Sequence, residues 1–382
     1  MTPPLNVAVL GGGFIGKQHI EAIRRIPNTG VRWIVDVDAA TAKRLADELG
    51  IPRFSDDYRE VLQDREVDIV HNCTPSNQHY CISKAVLEAG KHIYCEKPLT
   101  LTAAEAEELV ALAQKTGRAH GVNFNYRHNA MVFEMRDRVR SGMVGTVLHV
   151  YGEYLQDWLM YKTDFNWRMD ERIGVSRAVA DIGSHCFDVA QFVLDRRITS
   201  VCAKLITAHP VRLRPEQGGA TFSDAQGQGG VEVAIRTEDI AHIMVRFEGG
   251  TPGLFYLSQV SAGKKNGLAL SLSGDKAALE WQQEQADRLW IGHRDRPNEL
   301  LYTDPGLLSP GAKGYATLPA GHALAWHDAL RNAIGAFYAA VRAESWNEPG
   351  RSYADFSDGA RIMRLVEACL SSSATGDWVD VE

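Results

Sequence analysis

The 382-residue sequence predicts an α/β protein with two domains. Residues 1–125 form a doubly wound Rossmann domain, and residues 126–382 an α/β domain with a large, mainly antiparallel sheet. Three observations predict this. Strand and helix patterns alternate through the first 125 residues, which implies parallel strands with helices on both faces. Beyond them, runs of strands follow one another with few helices between, which implies antiparallel pairing with helices on one face. The first strand also ends in a glycine cluster that opens a helix.

Each element has its own signal. NVAVLG is a short apolar run stopped by glycines, and KQHIEAIRRIP reads as the helix after it. VRWIVDVD and VDIVHNCTP are strands around the helix ATAKRLADELG. HYCISKAVLEAG is a helix closed by glycine, KHIYCEKP a strand, and TAAEAEELVALAQKTG a helix with a Thr cap ending at Gly117. In the second domain, MVFEMRDRVRSG and SHCFDVAQFVLD are helices around the β-rich VLHVYGEYLQDW. SVCAKLIT, IAHIMVRFEGG, TPGLFYLSQV, LALSLSGDKAALEWQ and DRLWIGH read as strands. HALAWHDALRNAIGAFYAAVRA and SDGARIMRLVEACLSSSA close the chain as helices. Residues 207–232, rich in Gly, Gln and Pro, form a long loop that is either mobile or a cover for a site.

Composition narrows the function. The chain is 45% hydrophobic and 23% charged, with a formal net charge of −7 and no basic run, so nucleic acid and anionic membrane surfaces are poor partners. No charged n-region with an apolar stretch opens the sequence, and no apolar run is long enough to span a bilayer, which points to the cytoplasm. The six cysteines, at 73, 81, 95, 186, 202 and 369, include no CxxC pair and read as reduced thiols. Cys73, Cys81, Cys95, His71, His79 and His92 lack metal-ligand spacing, so no metal is expected.

GGGFIG supplies Gly11, Gly13 and Gly16 around Phe14 and Ile15, in the pattern that lets backbone approach a pyrophosphate at a helix N-terminus. Asp36 stands at the end of the next strand, where its carboxylate can accept the adenosine ribose hydroxyls and repel a 2′-phosphate. NAD is therefore the expected cofactor rather than NADP. Asp38 reads as the cap of the following helix. CTPSNQH and CEKP end the next strands, so Thr74, Pro75, Asn77, His79 and Glu96–Pro98 fall on the cofactor side of the sheet. Asn77 fits an Asx turn equally well, and His79 a plain helix-start residue. In DIGSH, Asp181 and His185 share a face at i,i+4, as a carboxylate that orients a general base or as a helix cap beside a half-buried imidazole. His322 and Trp326 have the same spacing near a helix start, bordering a pocket or not.

In order and spacing, GGGFIG, EKP and DIGSH resemble the Gfo/Idh/MocA oxidoreductase family over nearly the whole chain. The resemblance implies that Lys97, Asp181 and His185 form the catalytic set and that the Lys97–Pro98 peptide is cis. It also implies association into a homodimer or homotetramer through the C-terminal sheet. Glu96 then supports the loop or contacts the cofactor, and Trp167 and Arg168 of FNWR border cofactor or pocket, with a core aromatic the plain alternative for Trp167. NYR at 125–127 and YLQDW at 154–158 resemble the subgroup of levoglucosan and scyllo-inositol dehydrogenases, which makes Arg127, Tyr154, Gln156 and Asp157 substrate-pocket candidates. The glycine-rich run that many relatives carry before DIGSH is reduced to Gly174, implying a bulkier wall.

The expected reaction is oxidation of a ring secondary hydroxyl of a neutral sugar, anhydrosugar, glycoside or cyclitol. Trp158 and Trp167 can stack on C–H faces while Arg127, Tyr154 and Gln156 read hydroxyls. Asp157 and Asp181 offset the cations, leaving no clamp for an acidic substrate. The alternative on the same frame is a glycosidase that oxidises and re-reduces its sugar on tightly held NAD. A non-catalytic sensor is disfavoured by the complete catalytic set, and a zinc alcohol dehydrogenase by the lack of a ligand set.

Overall fold

The computed structural model describes residues 4–170, 173–174, 176–215 and 230–381. They form two compact units, 1–128 with 327–363 and 129–326 with 364–382.

In the first unit six strands, β1 (Leu5–Leu10), β2 (Thr29–Val35), β3 (Arg53–Ser55), β4 (Ile69–Asn72), β5 (His92–Cys95) and β6 (His120–Val122), make a parallel sheet ordered β3-β2-β1-β4-β5-β6. Between them run α1 (Phe14–Arg24), α2 (Ala39–Leu49), α3 (Tyr58–Gln63), α4 (Ser76–Glu88) and α5 (Ala103–Thr116). This is the doubly wound order, with its switch point between β1 and β4. Central strands covered on both faces are buried throughout, as β4 is. The helices start and stop on chemistry visible in the sequence. Asp38 caps α2, a Thr102–Glu105 capping box opens α5, and Gly50 and Gly117 end them at φ 59° and 60°. The short β3 and α3 carry too little periodicity to stand out in sequence.

The second unit begins with α6 (Ala130–Arg140) and β7 (Val147–Leu155), followed by α7 (Ser184–Leu194) and β8 (Ile198–Ile206). A hairpin of β9 (Val211–Arg214) and β10 (Val231–Ala234) precedes β11 (Ile240–Phe247) and β12 (Pro252–Ser258). Then come β13 (Gly267–Gly274), β14 (Ala278–Gln282), β15 (Arg288–Gly292) and β16 (Glu299–Tyr302). The chain ends with α8 (Pro310–Lys313), α9 (Trp326–Ala343), α10 (Phe356–Thr375) and β17 (Val379–Asp380). Nine strands form one sheet, β16-β15-β14-β13-β7-β12-β11-β8-β17, antiparallel except at β7–β12. Its alternation is plain in β11, where Ala241, Ile243, Val245 and Phe247 are buried and His242, Met244 and Arg246 exposed. β17 covers the outer side of β8 only at Ser200 and Val201, and beyond it side chains of α10 take over, since the Ala203 and Leu205 N–H groups donate to Ser372 and Ser373 hydroxyls at 2.8 and 3.0 Å.

Three expectations change. LALSLSGDKAALEWQ is a hairpin of β13 and β14 rather than one strand, because the turn at Gly274 reverses it. The 207–232 loop contains β9 and the start of β10, and its middle, 216–229, lies outside the described residues. The helix read from His322 starts at Trp326. All six cysteines are unpaired thiols. Among the described residues no helix is long and apolar enough to cross a membrane.

A buried ionic knot organises the second unit. The Asp239 carboxylate accepts from Arg177 Nη2, from Arg212 Nη2 at 2.7 Å, and from the Ala208 and His209 N–H groups at 2.7 and 3.1 Å. Arg212 in turn donates to the Leu159, Tyr161 and Asp164 carbonyls. Next to it, Glu238 Oε1 accepts from Ser176 Oγ and from the Arg177 and Val179 N–H groups. Residues 159–164, shortly before Trp167 and Arg168, and residues 176–179, shortly before Asp181, are thereby both tied down.

Burial opposes the Asp239 charge, but the two guanidiniums outweigh it and hold the carboxyl below its usual range. Its stabilisation is therefore present above the unfolded value of ~3.9 and lost as pH falls below it. Asp239→Asn strands two buried cations and should cost about 3–5 kcal/mol at pH 7, read as a lower urea midpoint. A midpoint unchanged at pH 7 would contradict the role given to the knot.

Candidate active site

The chain leaves β1 through Gly11, whose φ of +100° is a glycine conformation and whose N–H donates to the Val35 carbonyl at 2.7 Å. A Cβ at Gly11 would lie 2.5 Å from Cys73 O, and one at Gly16 only 1.9 Å from Gly11 O. These two glycines let α1 start hard against the sheet. Gly13 is different, because nothing lies within 4 Å of where its Cβ would be. It occupies the N-cap of α1 with no side-chain cap and no acidic residue in the first turn, and Phe14 beside it is 54% exposed. A bare helix N-terminus behind an open glycine suits a pyrophosphate, and Ile15 and Gly16 form its first turn.

Asp36 is fixed beside this turn. Its Oδ2 accepts from Gly12 N–H at 2.8 Å and its Oδ1 from Asp38 N–H at 3.1 Å, a placement suited to a ribose diol. Asp38 accepts from the Thr41 amide and hydroxyl at 3.1 and 2.6 Å, as a cap.

At the end of β4, the Thr74 hydroxyl donates to Asn72 Oδ1 at 2.6 Å, Pro75 is exposed, and Asn77 is half-buried in the first turn of α4. His79 is buried. Its ring nitrogens lie 2.7 Å from Pro98 O and 2.8 Å from Thr74 O, and burial pushes its imidazole pKa down. The ring therefore sits between the turn after β5 and the turn after β4, with both nitrogens facing main-chain carbonyls.

The Lys97–Pro98 peptide is cis, as the resemblance implied. Lys97 is half-buried and directly follows the buried Glu96. Glu96 Oε1 accepts from His19 Nε2 at 2.9 Å and Asn123 Nδ2 at 2.5 Å, while Oε2 accepts from the Lys97 N–H at 3.1 Å. Burial alone would raise this carboxyl. The hydrogen bonds from His19 and Asn123, with the Lys97 charge, hold it well below the usual carboxylate range. His19 and Asn123 were not singled out in the sequence, although His19 falls one turn after Gly16 on the same helix. Among the described residues no group of three or more His, Cys, Asp and Glu could hold a metal.

Arg127 is buried in a short 3₁₀ turn, with Nη1 3.4 Å from Asp358 Oδ2. Burial opposes the Asp358 charge, but Arg127 outweighs it and the carboxyl stays below its usual range.

In the second unit, Asp181 lies in a widened i→i+5 turn, Val179–Gly183, that runs into α7. The plain helical i,i+4 geometry expected for Asp181 and His185 is thus replaced by a π-turn, a feature frequent at functional sites. Gly183 permits it, since a Cβ there would meet Leu257 Cδ1 at 2.6 Å. Asp181 Oδ2 accepts from Gln259 Nε2 at 2.9 Å, and Arg168 Nε lies 3.8 Å from Oδ1 while its guanidinium stacks 4.3 Å over Trp167. Gln259, fully buried just past β12, has no sequence signature. His185 is buried, with its ring centroid 6.3 Å from that of Tyr154.

The Tyr154 hydroxyl donates to Asn266 Oδ1, and Gln156 Oε1 accepts from Trp158 Nε1 at 2.9 Å. Asp157 Oδ2 instead accepts from Lys265 Nζ at 2.7 Å and Gly263 N–H at 3.0 Å. His322 is exposed on a turn, its Nδ1 3.2 Å from Pro319 O, and precedes α9 rather than sharing a helical face with Trp326.

Residues 5–124 match the Gfo/Idh/MocA oxidoreductase family, NAD-binding Rossmann fold, and residues 132–280 match the Gfo/Idh/MocA C-terminal domain. The sequence is 28% identical to levoglucosan dehydrogenase of Pseudarthrobacter phenanthrenivorans, covering 99% of this chain and 98% of that one. A solved apo levoglucosan dehydrogenase superposes with a TM-score of 0.89 at 27% identity, covering 100% and 99% of the two chains. An inositol dehydrogenase homologue from Azotobacter vinelandii, solved with NADH and myo-inositol, gives a TM-score of 0.84 at 26% identity, covering 100% and 98%.

The glycine geometry separates folding from dinucleotide binding. Gly16→Ala should lower the melting temperature and abolish NAD binding, because the methyl group collides with Gly11 O and overpacking costs about 1–3 kcal/mol. Gly13→Ala should leave the melting temperature nearly unchanged yet weaken NAD binding in calorimetry, because its methyl group enters the cradle and no core. Equal NAD affinity in Gly13→Ala and the unmodified protein would rule out this cradle.

Proposed function

The chain belongs to the Gfo/Idh/MocA oxidoreductase family and is an NAD-dependent oxidoreductase, and from that premise we propose that it oxidises a ring secondary hydroxyl of a neutral sugar, anhydrosugar or cyclitol. What carries the reading is that Lys97 and Asp181 are each anchored by a buried polar neighbour, Glu96 and Gln259, with His185 buried in the turn after Asp181. Lys97 follows directly on the buried Glu96 after β5, Asp181 lies in the π-turn, and His185 lies in the first turn of α7. The end-to-end likeness to a levoglucosan dehydrogenase supports the substrate class.

The glycine turn and α1 would hold the pyrophosphate, and Asp36 the adenosine ribose. The bound NAD supplies the hydride acceptor. The ammonium of Lys97 hydrogen-bonds the reacting hydroxyl and stabilises alkoxide character as the proton leaves. His185 takes that proton at a ring nitrogen, and Asp181, held by Gln259, favours the imidazolium that results. Asp36 disfavours a 2′-phosphate, giving NAD preference over NADP. Tyr154, Gln156 and the Trp167–Arg168 pair would form the polar and apolar substrate wall. Arg127 is matched by Asp358 and Asp157 by Lys265, so neither adds net charge for recognising an acidic substrate.

A panel of neutral sugars, anhydrosugars and inositols, with sugar phosphates and sugar acids as controls, should give NADH formation with a neutral compound and a higher kcat/KM with NAD than with NADP. His185→Ala should lower kcat about 10²–10⁴-fold with NAD affinity kept. Glycoside cleavage without NADH accumulation would support the glycosidase alternative, and turnover confined to acidic compounds would reject the substrate class.

The same sheet supports homo-oligomer formation. Cross-strand register puts Cys202, Met244, Leu254, Tyr151, Ser271, Glu280, Trp290 and Leu300 in one row on a single face, with Met244 47% and Leu254 44% exposed in its apolar half. Met244→Glu with Leu254→Glu should give a monomer in sedimentation while the melting curve stays cooperative. A monomeric unmodified protein would remove this proposal.

A further inference from the structure

Behind Glu96 lies a buried chain that the reaction scheme does not use. Tyr338 Oη is 2.8 Å from His71 Nε2, His71 Nδ1 is 2.8 Å from His19 Nδ1, and His19 Nε2 reaches Glu96 Oε1 at 2.9 Å. Tyr338, His71 and His19 are all fully buried, and the two imidazoles meet edge to face at 85°.

The hydrogens can be assigned from one end. The Tyr338 hydroxyl is a buried donor whose hydrogen-bond partner is His71 Nε2, so it donates there. Burial holds the phenol well above and the His71 imidazole well below their ordinary values, so Tyr338 keeps its proton and His71 is neutral. His71 Nε2 then offers a lone pair and Nδ1 carries the only ring hydrogen, which goes to His19 Nδ1. His19 must carry hydrogen on Nε2, pointing at Glu96. Asn123 is aligned the same way, since its Oδ1 accepts from Tyr94 Oη at 3.2 Å and its Nδ2 is left to donate to Glu96. With Oε1 taken by these two donors, Oε2 holds the Lys97 N–H.

We propose that Tyr338, His71 and His19 form a one-directional hydrogen-bond relay that fixes Glu96 and through it positions the main chain of Lys97. These four are positioning residues, since none is assigned to the reacting atoms. Their importance for turnover rests on the role proposed for Lys97, but the coupling itself does not. Tyr338 thereby acts on Lys97 from α9, 267 residues along the chain from its contact His71.

The test uses the full chain, labelled with ¹⁵N, and the variants Tyr338→Phe and Glu96→Gln. In the unmodified protein, His71 should carry its hydrogen on Nδ1 and His19 on Nε2, and the Lys97 amide proton should resonate far downfield as a carboxylate donor. Tyr338→Phe, which removes one oxygen far from Lys97, should abolish the single His71 tautomer and move the Lys97 amide. Glu96→Gln, which presents an NH₂ where Oε2 stood or shares one oxygen among three donors, should move it further. With NAD and either myo-inositol or levoglucosan, Tyr338→Phe should lower kcat at least about fivefold with NAD affinity unchanged. An Nε2–H tautomer at His71 overturns the relay. A Lys97 amide that stays in place in Tyr338→Phe overturns the coupling, and unchanged kcat with a shifted amide overturns its importance for turnover. If the unmodified protein forms no NADH from any compound of the panel, the dehydrogenase reading fails while the spectra still decide the relay.

Discussion

A carboxylate buried at the end of a parallel strand is costly unless every lone pair that faces protein finds a donor. Glu96 meets that demand with three donors, and each comes from a different part of the first unit: His19 on α1, Asn123 after β6, and the Lys97 amide of its own turn. Ionisation follows from the donors rather than from solvent. The turn at Lys97 and Pro98 is then held on two sides, by Glu96 below and by His79 across to Thr74. Removing any one donor leaves charge in a place that water does not reach.

The second unit solves the same problem differently. Its buried anion, Asp239, is neutralised by two guanidiniums, and Arg212 spends its remaining hydrogens on loop carbonyls. The backbone of residues 159–164 is therefore ordered by these donors rather than by a strand ladder. Asp181 inherits that order through the π-turn, while Gln259 fixes its carboxylate from the end of β12. In both units the groups assigned to chemistry are held by buried polar partners that take no part in it.

Much of this was legible because it is local. GGGFIG declares a close turn, Asp36 a strand end, Thr102 and Glu105 a helix start, and β11 its two faces, since each depends on residues a few positions apart. The cis-proline was legible through resemblance rather than through spacing, and the catalytic trio is proposed on the same ground. Where local spacing was trusted alone it failed, at His322, which precedes its helix, and at DIGSH, where the turn is widened. The counter-charge of Arg127, Asp358, could not be read locally, because it lies 231 residues away.

The sequence by itself determined the parallel order of the first sheet, the antiparallel character of the second, and the cradle with its acidic companion, because periodicity and glycine placement act over a single turn or strand. Tertiary structure alone decided what stands behind the site. Tyr338 against His71, Gln259 against Asp181 and Asp239 between two arginines are pairings of ordinary polar residues that no local pattern marks. They arise only when folding removes water and leaves each buried donor or acceptor to find its complement across the chain.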